Sequence, residues 1–250
     1  MTAAPIHLGT ERLMLDPMGA LFWPERRLLA VSDLHLEKGS SFARLGMLLP
    51  PWDSHATIDR LTLLLRRWSP ATVVALGDSF HDAGGSARLP AGEQQRLQAM
   101  TQAHRFIWVQ GNHDPKPQDG LGGEWVETHT EGAMVFRHQA IAAADPGEIV
   151  GHHHPKATIE ARTGPVSRPC FVFDGRRLMM PAFGAYTGGL DVRDPAIKML
   201  FPRGGRVFLL GKDRLFSFQL GAGSALRMAR SATLPRGHCA LIPARGTIDR

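Results

Sequence analysis

Lysine is scarce in this chain: Lys38, Lys116, Lys156, Lys198 and Lys212 are the whole complement, and arginine carries the remaining positive charge. Long apolar runs are missing too, since no stretch approaches the ~18 consecutive residues that a spanning helix needs. The segment from Met1 to Leu15 does not join a basic stretch to an apolar one, as a secretion signal would. These absences predict a cytoplasmic protein with no membrane partner. The two cysteines, Cys170 and Cys239, are far apart and fit neither a disulfide framework nor a CxxC zinc knuckle, so thiol chemistry is not expected. Neither an internal repeat nor a low-complexity block is found.

What is present is the composition of an ordinary globular protein, 43% hydrophobic and 21% charged over 250 residues, enough for one large domain or two small ones. Lys plus Arg number 29 against 23 Asp plus Glu, a net charge of +6 with His neutral. Such a balance suits a polyanionic substrate such as nucleic acid, and it equally suits any soluble basic protein.

Short apolar runs alternate with amphipathic stretches over the first two-thirds, and strand-like runs separated by Gly and Pro fill the last third, an α/β pattern with a β-rich end. Strands are predicted at 12–15, 20–23, 28–32, 72–76, 106–110, 134–137 and 148–150, then at 157–161, 170–173, 178–180, 207–210 and 215–218. Asp53 or Ser54 can cap a helix toward Trp68 whose apolar face is Ile58, Leu61, Leu64 and Leu65. A second helix is predicted from about Gly92 to His104. The five tryptophans, Trp23, Trp52, Trp68, Trp108 and Trp125, mostly adjoin these runs and read as packing residues. Beyond Phe218 the pattern weakens, so residues 1–218 are taken as the domain and 219–250 as a loosely ordered tail.

Four segments share a strand-then-polar-loop form: Asp33-Leu-His35, Gly77-Asp78, Gly111-Asn112-His113-Asp114 and Gly151-His152-His153-His154. In an extended segment, residues two apart point the same way, so each Asp-x-His or His-x-His pair can reach one site. Carboxylate, amide and imidazole are the donors that Mn²⁺, Fe or Zn²⁺ accept, with no thiolate among them. Of the 12 histidines, seven fall in or near this set; His7, His55, His104, His129 and His238 read as ordinary surface or core residues.

Together with His138, these motifs resemble the ligand motifs of the binuclear metallophosphoesterase superfamily. A narrower set resembles the DNA ligase-associated metallophosphoesterases: the run from Ser41 to Gly46 after Asp33-Leu-His-Leu, Gly77-Asp78-x-x-His81, and the run from Leu178 to Gly189. That resemblance spans roughly residues 8 to 218. It implies an α/β fold in which a two-sheet β-sandwich is flanked by helices.

The resemblance also implies two divalent metal ions, Mn²⁺ first, with Fe²⁺ or Zn²⁺ accepted by the same donors. One would be held by Asp33, His35, Asp78 and His154, the other by Asp78, Asn112, His138 and His152. Such a pair activates a water and neutralises phosphoryl oxygens in an in-line attack. His113 is assigned to the leaving oxygen, with Asp114 orienting its ring, and His81 to the substrate phosphate or to support of the ligands. His153, between two presumed ligands, is taken as a non-ligand. Two departures from the pattern are Glu37, where a small residue is expected, and His153, where an apolar one is usual. Lys38 and Arg44 are candidates to meet a phosphate backbone.

The implied activity is metal-dependent hydrolysis of DNA phosphodiester bonds, single-stranded or at ends, in a repair setting with a ligase, a helicase and a nuclease as functional partners. The alternatives kept open are a phosphomonoesterase or small-nucleotide phosphodiesterase of the same superfamily, and a non-catalytic scaffold. The scaffold is disfavoured because every expected ligand and His113 are present.

Overall fold

The structure, a computed structural model, describes residues 1–118, 120–142, 146–161, 164–221 and 226–228. A first sheet of seven strands takes the chain in order: β1 (Ala4–Leu8), β2 (Glu11–Leu15), β3 (Leu21–Trp23), β4 (Leu28–Ser32), β5 (Thr72–Leu76), β6 (Arg105–Val109) and β7 (Glu124–Val126). Its first half is an antiparallel meander, and β4 to β7 run parallel. Parallel pairs need crossovers: α1 (Lys38–Arg44) and α2 (Asp53–Trp68) lie in the one from β4 to β5, and α3 (Gly85–Arg88) and α4 (Ala91–Ala103) in the one from β5 to β6.

The second sheet holds β8 (Thr128–Glu131), β9 (Met134–Arg137), β10 (Glu148–Val150), β11 (Lys156–Ala161), β12 (Gly164–Phe173), β13 (Arg177–Met179), β14 (Gly205–Leu210), β15 (Leu215–Leu220) and β16 (Leu226–Met228). Within it β9, β10 and β13 are parallel to one another and the remaining pairs antiparallel. A short helix α5 (Pro195–Lys198) precedes β14, capped by Asp194, which accepts a hydrogen bond from Ala196 N. This is the expected two-sheet sandwich flanked by helices.

Period-two alternation explains the layering. In β4, Leu29 and Val31 face the helices, where Ile58, Leu61, Leu64 and Leu97 cover them, while Leu28 and Ala30 face the second sheet and meet residues such as Phe136, Phe171 and Met180. The outer face of the second sheet is closed by Val192, Ile197 and Phe201. Strands β4, β5 and β6 are therefore buried on both faces, which is why they read as nearly continuous apolar runs.

Helix α2 starts at Asp53 as expected but not through the expected cap. Asp53 Oδ2 accepts from Gly39 N at 3.0 Å and Ser54 Oγ donates to Glu37 Oε1 at 2.7 Å, so both side chains tie α2 to the start of α1. The strand predicted to end at Phe218 continues to Leu220 and pairs with β16. Of the predicted tail, 222–225 and 229–250 lie outside the described residues, as does Cys239; Cys170 is buried. No helix among the described residues is long and apolar enough to cross a membrane.

Candidate metal centre

Strands β4, β5 and β6 are parallel, so the loops beginning at Asp33, Gly77 and Gln110 all leave one edge of the first sheet. Strands β9 and β10 are parallel too, and His138 and Gly151 follow their last residues on one edge of the second sheet. The two edges meet: His152 N donates to both carboxylate oxygens of Asp33 at 3.2 Å.

The chain at this edge is not extended. Among the described residues, eight other than glycine have positive φ, and six of them lie here: Asp33 (53°), His35 (42°), Glu37 (62°), Asp78 (45°), His152 (70°) and His154 (47°). The alternation expected to turn Asp33 with His35, and His152 with His154, to one side is thus achieved differently, by left-handed kinks at both members of each pair. Each such residue costs on the order of 1–3 kcal/mol, a strain that the surrounding fold must hold in place. Backbone bonds supply the hold: His35 N donates to Asp78 O at 2.9 Å, Leu36 N to Ser79 O at 2.9 Å and Gly184 N to Asp33 O at 3.0 Å. The run from Leu178 to Gly189 thereby acquires a role, as a brace under the first loop. Glycine is required at Gly77, where φ is +70° and a Cβ would run into the His138 ring, and at Gly111, where a Cβ would overlap the Asp78 backbone nitrogen.

Two groups of donors result. Asp33, His35 and His154 place one donor atom each within 4.8 Å of one another, and so do Asp78, His138 and His152. Asp78 Oδ2 lies 3.8 Å from His35 Nε2 and 3.3 Å from His138 Nε2, so one carboxylate oxygen faces both groups. Asn112 Oδ1 lies 3.0 Å from His138 Nε2. Imidazole nitrogens come together in pairs, His35 Nε2 with His154 Nε2 and His138 Nε2 with His152 Nδ1, each at 3.2 Å.

This donor set fits divalent metal. Neutral imidazole and ionised carboxylate are the forms that bind a cation. Burial pushes the His35 imidazolium down to about 3. Burial of Asp78 works to raise its pKa, but the His138 hydrogen bond and charge outweigh it and hold the carboxyl at about 2. His129, the other histidine near β9, lies elsewhere, 3.8 Å from Glu131 and with its ring tilted 34° to that of Phe136.

A third group, His35, His81 and His113, adjoins the first. His81 Nδ1 is 3.4 Å from His35 Nδ1, and its ring stacks on His113 with centroids 5.2 Å apart. His113 Nδ1 donates to His81 O at 2.7 Å, which leaves His113 Nε2 turned toward Asp78 Oδ2, 3.9 Å away. Burial, with Lys38 adding to it, lowers the His81 pKa and favours the neutral ring.

The contact expected from Asp114 to His113 is not made. The fully buried Asp114 carboxylate accepts instead from Phe80 N at 3.0 Å and Gly111 N at 3.1 Å, stitching the β6 loop to the β5 loop, and burial raises its pKa to about 7. His153 turns aside from both groups, with its Nδ1 buried and unpaired among the described residues. Lys38 and Arg44 sit at the two ends of α1, Lys38 half-buried with Nζ 5.5 Å from the Phe42 ring and Arg44 exposed. Glu37 is buried against Ser54 and does not face the donors.

Sequence reasoning missed Ser32, whose Oγ donates to Asp33 Oδ2 at 2.5 Å; a hydroxyl next to the aspartate was the available signal. It also missed the buried pair Glu148 and Arg177, which holds the loop after His138 and is separated too far in sequence to be read.

The sequence model of the calcineurin-like phosphoesterases matches residues 26–173, the stretch that contains every donor named above. The chain belongs to the calcineurin-like phosphoesterase family. Among solved structures, Pseudomonas putida nuclease MPE is similar, at 25% identity and a TM-score of 0.68, over 86% of this chain and 100% of that one. Yfce, a phosphoesterase from E. coli, is 15% identical with a TM-score of 0.39, over 80% of this chain and 95% of that one. No curated protein sequence matches. As in the family generally, the chemistry to be accounted for is a metal-supported phosphoesterase reaction, and the two donor groups are where the metals would be held.

Proposed function

We propose that this phosphoesterase is a nuclease that hydrolyses DNA phosphodiester bonds, in single strands or at ends. The observation that carries the reading is the placement of His113 Nε2, fixed by the His81 carbonyl and facing the carboxylate that both donor groups share. A phosphodiester has a poor alkoxide leaving group, so a proton held at that atom is what the reaction needs. The likeness to Pseudomonas putida nuclease MPE over the whole of that chain supports the same substrate class.

Asp33, His35, Asp78 and His154 would hold one divalent ion, and Asp78, Asn112, His138 and His152 the other, with Mn²⁺ the first choice and Fe²⁺ or Zn²⁺ taken by the same donors. A bound pair supplies an activated water and charge neutralisation at phosphorus. The residues do the rest. His113 acts from its imidazolium form: Nε2 gives its proton to the departing oxygen while Nδ1 keeps its own on the His81 carbonyl, leaving the neutral ring. Neutral His81, with Nδ1 turned to His35, presents Nε2–H to a phosphate oxygen, and Lys38 and Arg44 meet the phosphates that flank the reacting one. A setting in DNA repair, alongside a ligase, a helicase and a nuclease in the cytoplasm, belongs to this proposal and follows from the narrower resemblance.

The test is cleavage of an end-labelled single-stranded DNA oligonucleotide with added Mn²⁺, beside p-nitrophenyl phosphate and the His113→Ala protein. Cleavage that requires both Mn²⁺ and His113, with little monoester turnover, is expected. Monoester turnover with intact DNA would discard the nucleic-acid reading.

A further inference from the structure

Ten large apolar side chains are exposed among the described residues, and four of them fall within one short segment between α1 and α2: Leu45 (71% exposed), Met47 (48%), Leu48 (88%) and Trp52 (65%). Apolar residues scattered singly need no explanation, whereas a contiguous exposed group marks a surface that binds something. Trp52 is also the exception to the packing role expected of the tryptophans, since Trp23 and Trp108 are buried and Trp68 and Trp125 stack on Phe22 and Trp108.

The segment is held in shape. Leu45 N and Met47 N both donate to Phe42 O, at 2.9 and 3.0 Å, Gly46 closes α1 with a φ of +77°, and Asp53 Oδ2 anchors the far end on Gly39 N at 3.0 Å. A surface set before its ligand arrives loses less entropy on binding.

Its position and charge indicate the occupant. Leu45 follows the last residue of α1, and the Leu45 and Met47 amides both donate to Phe42 O, which keeps the exposed segment beside Phe42. The Phe42 ring is 5.6 Å from the His81 ring, and His81 stacks on His113, so the apolar surface runs out from the candidate reacting centre. Lys38 and Arg44 border it, and neither makes an ion pair among the described residues. The neighbouring acids are engaged: Asp82 by Arg88, Asp53 by Gly39 N and Glu37 by Ser54. An apolar shelf with a cationic border, continuous with a phosphate site, matches a single strand, whose bases offer flat apolar faces beside a charged backbone.

We propose that Leu45, Met47, Leu48 and Trp52 form a shelf for unpaired nucleobases of the strand being cut, with Lys38 and Arg44 on the phosphates between them. The proposal rests on the nuclease reading above and deepens it: recognition is of unpaired bases irrespective of sequence, because every base has a π-face.

The experiment compares kcat/KM for a single-stranded 12-mer DNA with that for a 12-mer carrying abasic tetrahydrofuran units in place of the bases flanking the cut, in the wild type and in Trp52→Ala and Leu48→Ser. Because both residues are solvent-exposed, the variants should fold, and their melting temperatures check this. The wild type should prefer the base-bearing strand at least about fivefold, the floor for one stacked base, and both variants should lose most of that preference. Cleavage of both strands by the wild type with no preference, or a preference that survives in both variants, would overturn the shelf and leave the nuclease reading standing. Cleavage of neither strand would defeat the nuclease reading and the shelf with it. Sedimentation of the same proteins adds one more outcome: an oligomer that dissociates in the variants while the preference persists would assign the face to a second copy of the chain.

Discussion

His113 donates its Nδ1 proton to the carbonyl oxygen of His81 at 2.7 Å, while the His81 ring reaches His35 Nδ1 at 3.4 Å. One residue thus connects a donor of the first group to the candidate acid: its backbone sets which nitrogen of His113 is free, and its ring props His35. Partners of this kind fix tautomer and ring orientation around a metal.

Replacing His113 by Ala should lower kcat on a DNA substrate by about 10²- to 10⁴-fold, the usual contribution of a positioned acid. Mn²⁺ occupancy, measured by calorimetry, should stay at two per chain. Loss of an ion in this variant would mean that His113 is a ligand.

Asp78→Ala should behave differently, because its Oδ2 faces His35 and His138 alike. Removing a shared ligand should abolish turnover and lower the occupancy of both ions together. A variant that still binds one ion with wild-type affinity would break the bridging assignment.

Much of this was legible in the sequence, and what was not has physical causes. The boundaries of β4 and β5 were readable because both strands are buried on two faces and end in abrupt polar loops. Helix α1 was not, since Lys38-Gly-Ser-Ser-Phe-Ala-Arg44 has no apolar period of its own; it forms on the Glu37 turn and is tied down by Asp53 and Ser54 from another helix. Strand β1 was missed for a similar reason: its exposed positions include Pro5 and His7, and its place is set by pairing with β2. At the site, repetition of the strand-then-loop form revealed the donors. The left-handed backbone at Asp33 and His35 could not be seen, because an extended Asp-x-His has the same spelling. Asp114 could equally have turned to its neighbour His113 or back to Gly111, and only the fold decides.

Metal should stabilise the protein. Donors of like kind held in pairs at 3.2 Å favour a cation between them, and binding to the folded form alone raises stability by about 2.7 kcal/mol at a hundredfold excess over Kd. For a chain of this size the melting temperature should rise by roughly 5 to 10 °C on adding Mn²⁺ to EDTA-treated protein. Asp33→Ala should flatten that response; a full shift in that variant would exclude Asp33 from the site.

Asp82 and Arg88 offer a pH prediction away from the donors. Partial burial works to raise the Asp82 pKa, but the Arg88 and Ser41 hydrogen bonds and the Gly84 amide outweigh it and hold the carboxyl at about 2. A carboxyl whose folded pKa is depressed contributes stability above its unfolded value, about 3.9, and loses it as pH falls through about 2. Arg88→Met should move the Asp82 carboxyl resonance midpoint, followed by NMR, back toward 3.9 and reduce the loss of stability between those pH values. An unmoved midpoint would leave Ser41 and Gly84 as the sufficient cause.

Arg177 tests whether stability and site geometry can be separated. Its Nε donates to Glu148, its Nη1 to Leu200 O at 2.9 Å and its Nη2 to Ile141 O at 2.5 Å, while Glu148 Oε1 accepts from Ile141 N at 3.2 Å. Both backbone groups of Ile141, three residues past His138, are therefore held by one buried ion pair. Arg177→Met leaves the Glu148 charge buried with Arg137 Nε, at 3.3 Å, as its one remaining cation among the described residues, and should cost about 3–5 kcal/mol in urea unfolding. Adding Glu148→Met removes the unpaired charge and should restore most of that loss. It does not restore the grip on Ile141, so the double variant should stay stable while binding Mn²⁺ more weakly than wild type. Wild-type Mn²⁺ affinity in the stable double variant would show that the pair supports the fold without positioning His138.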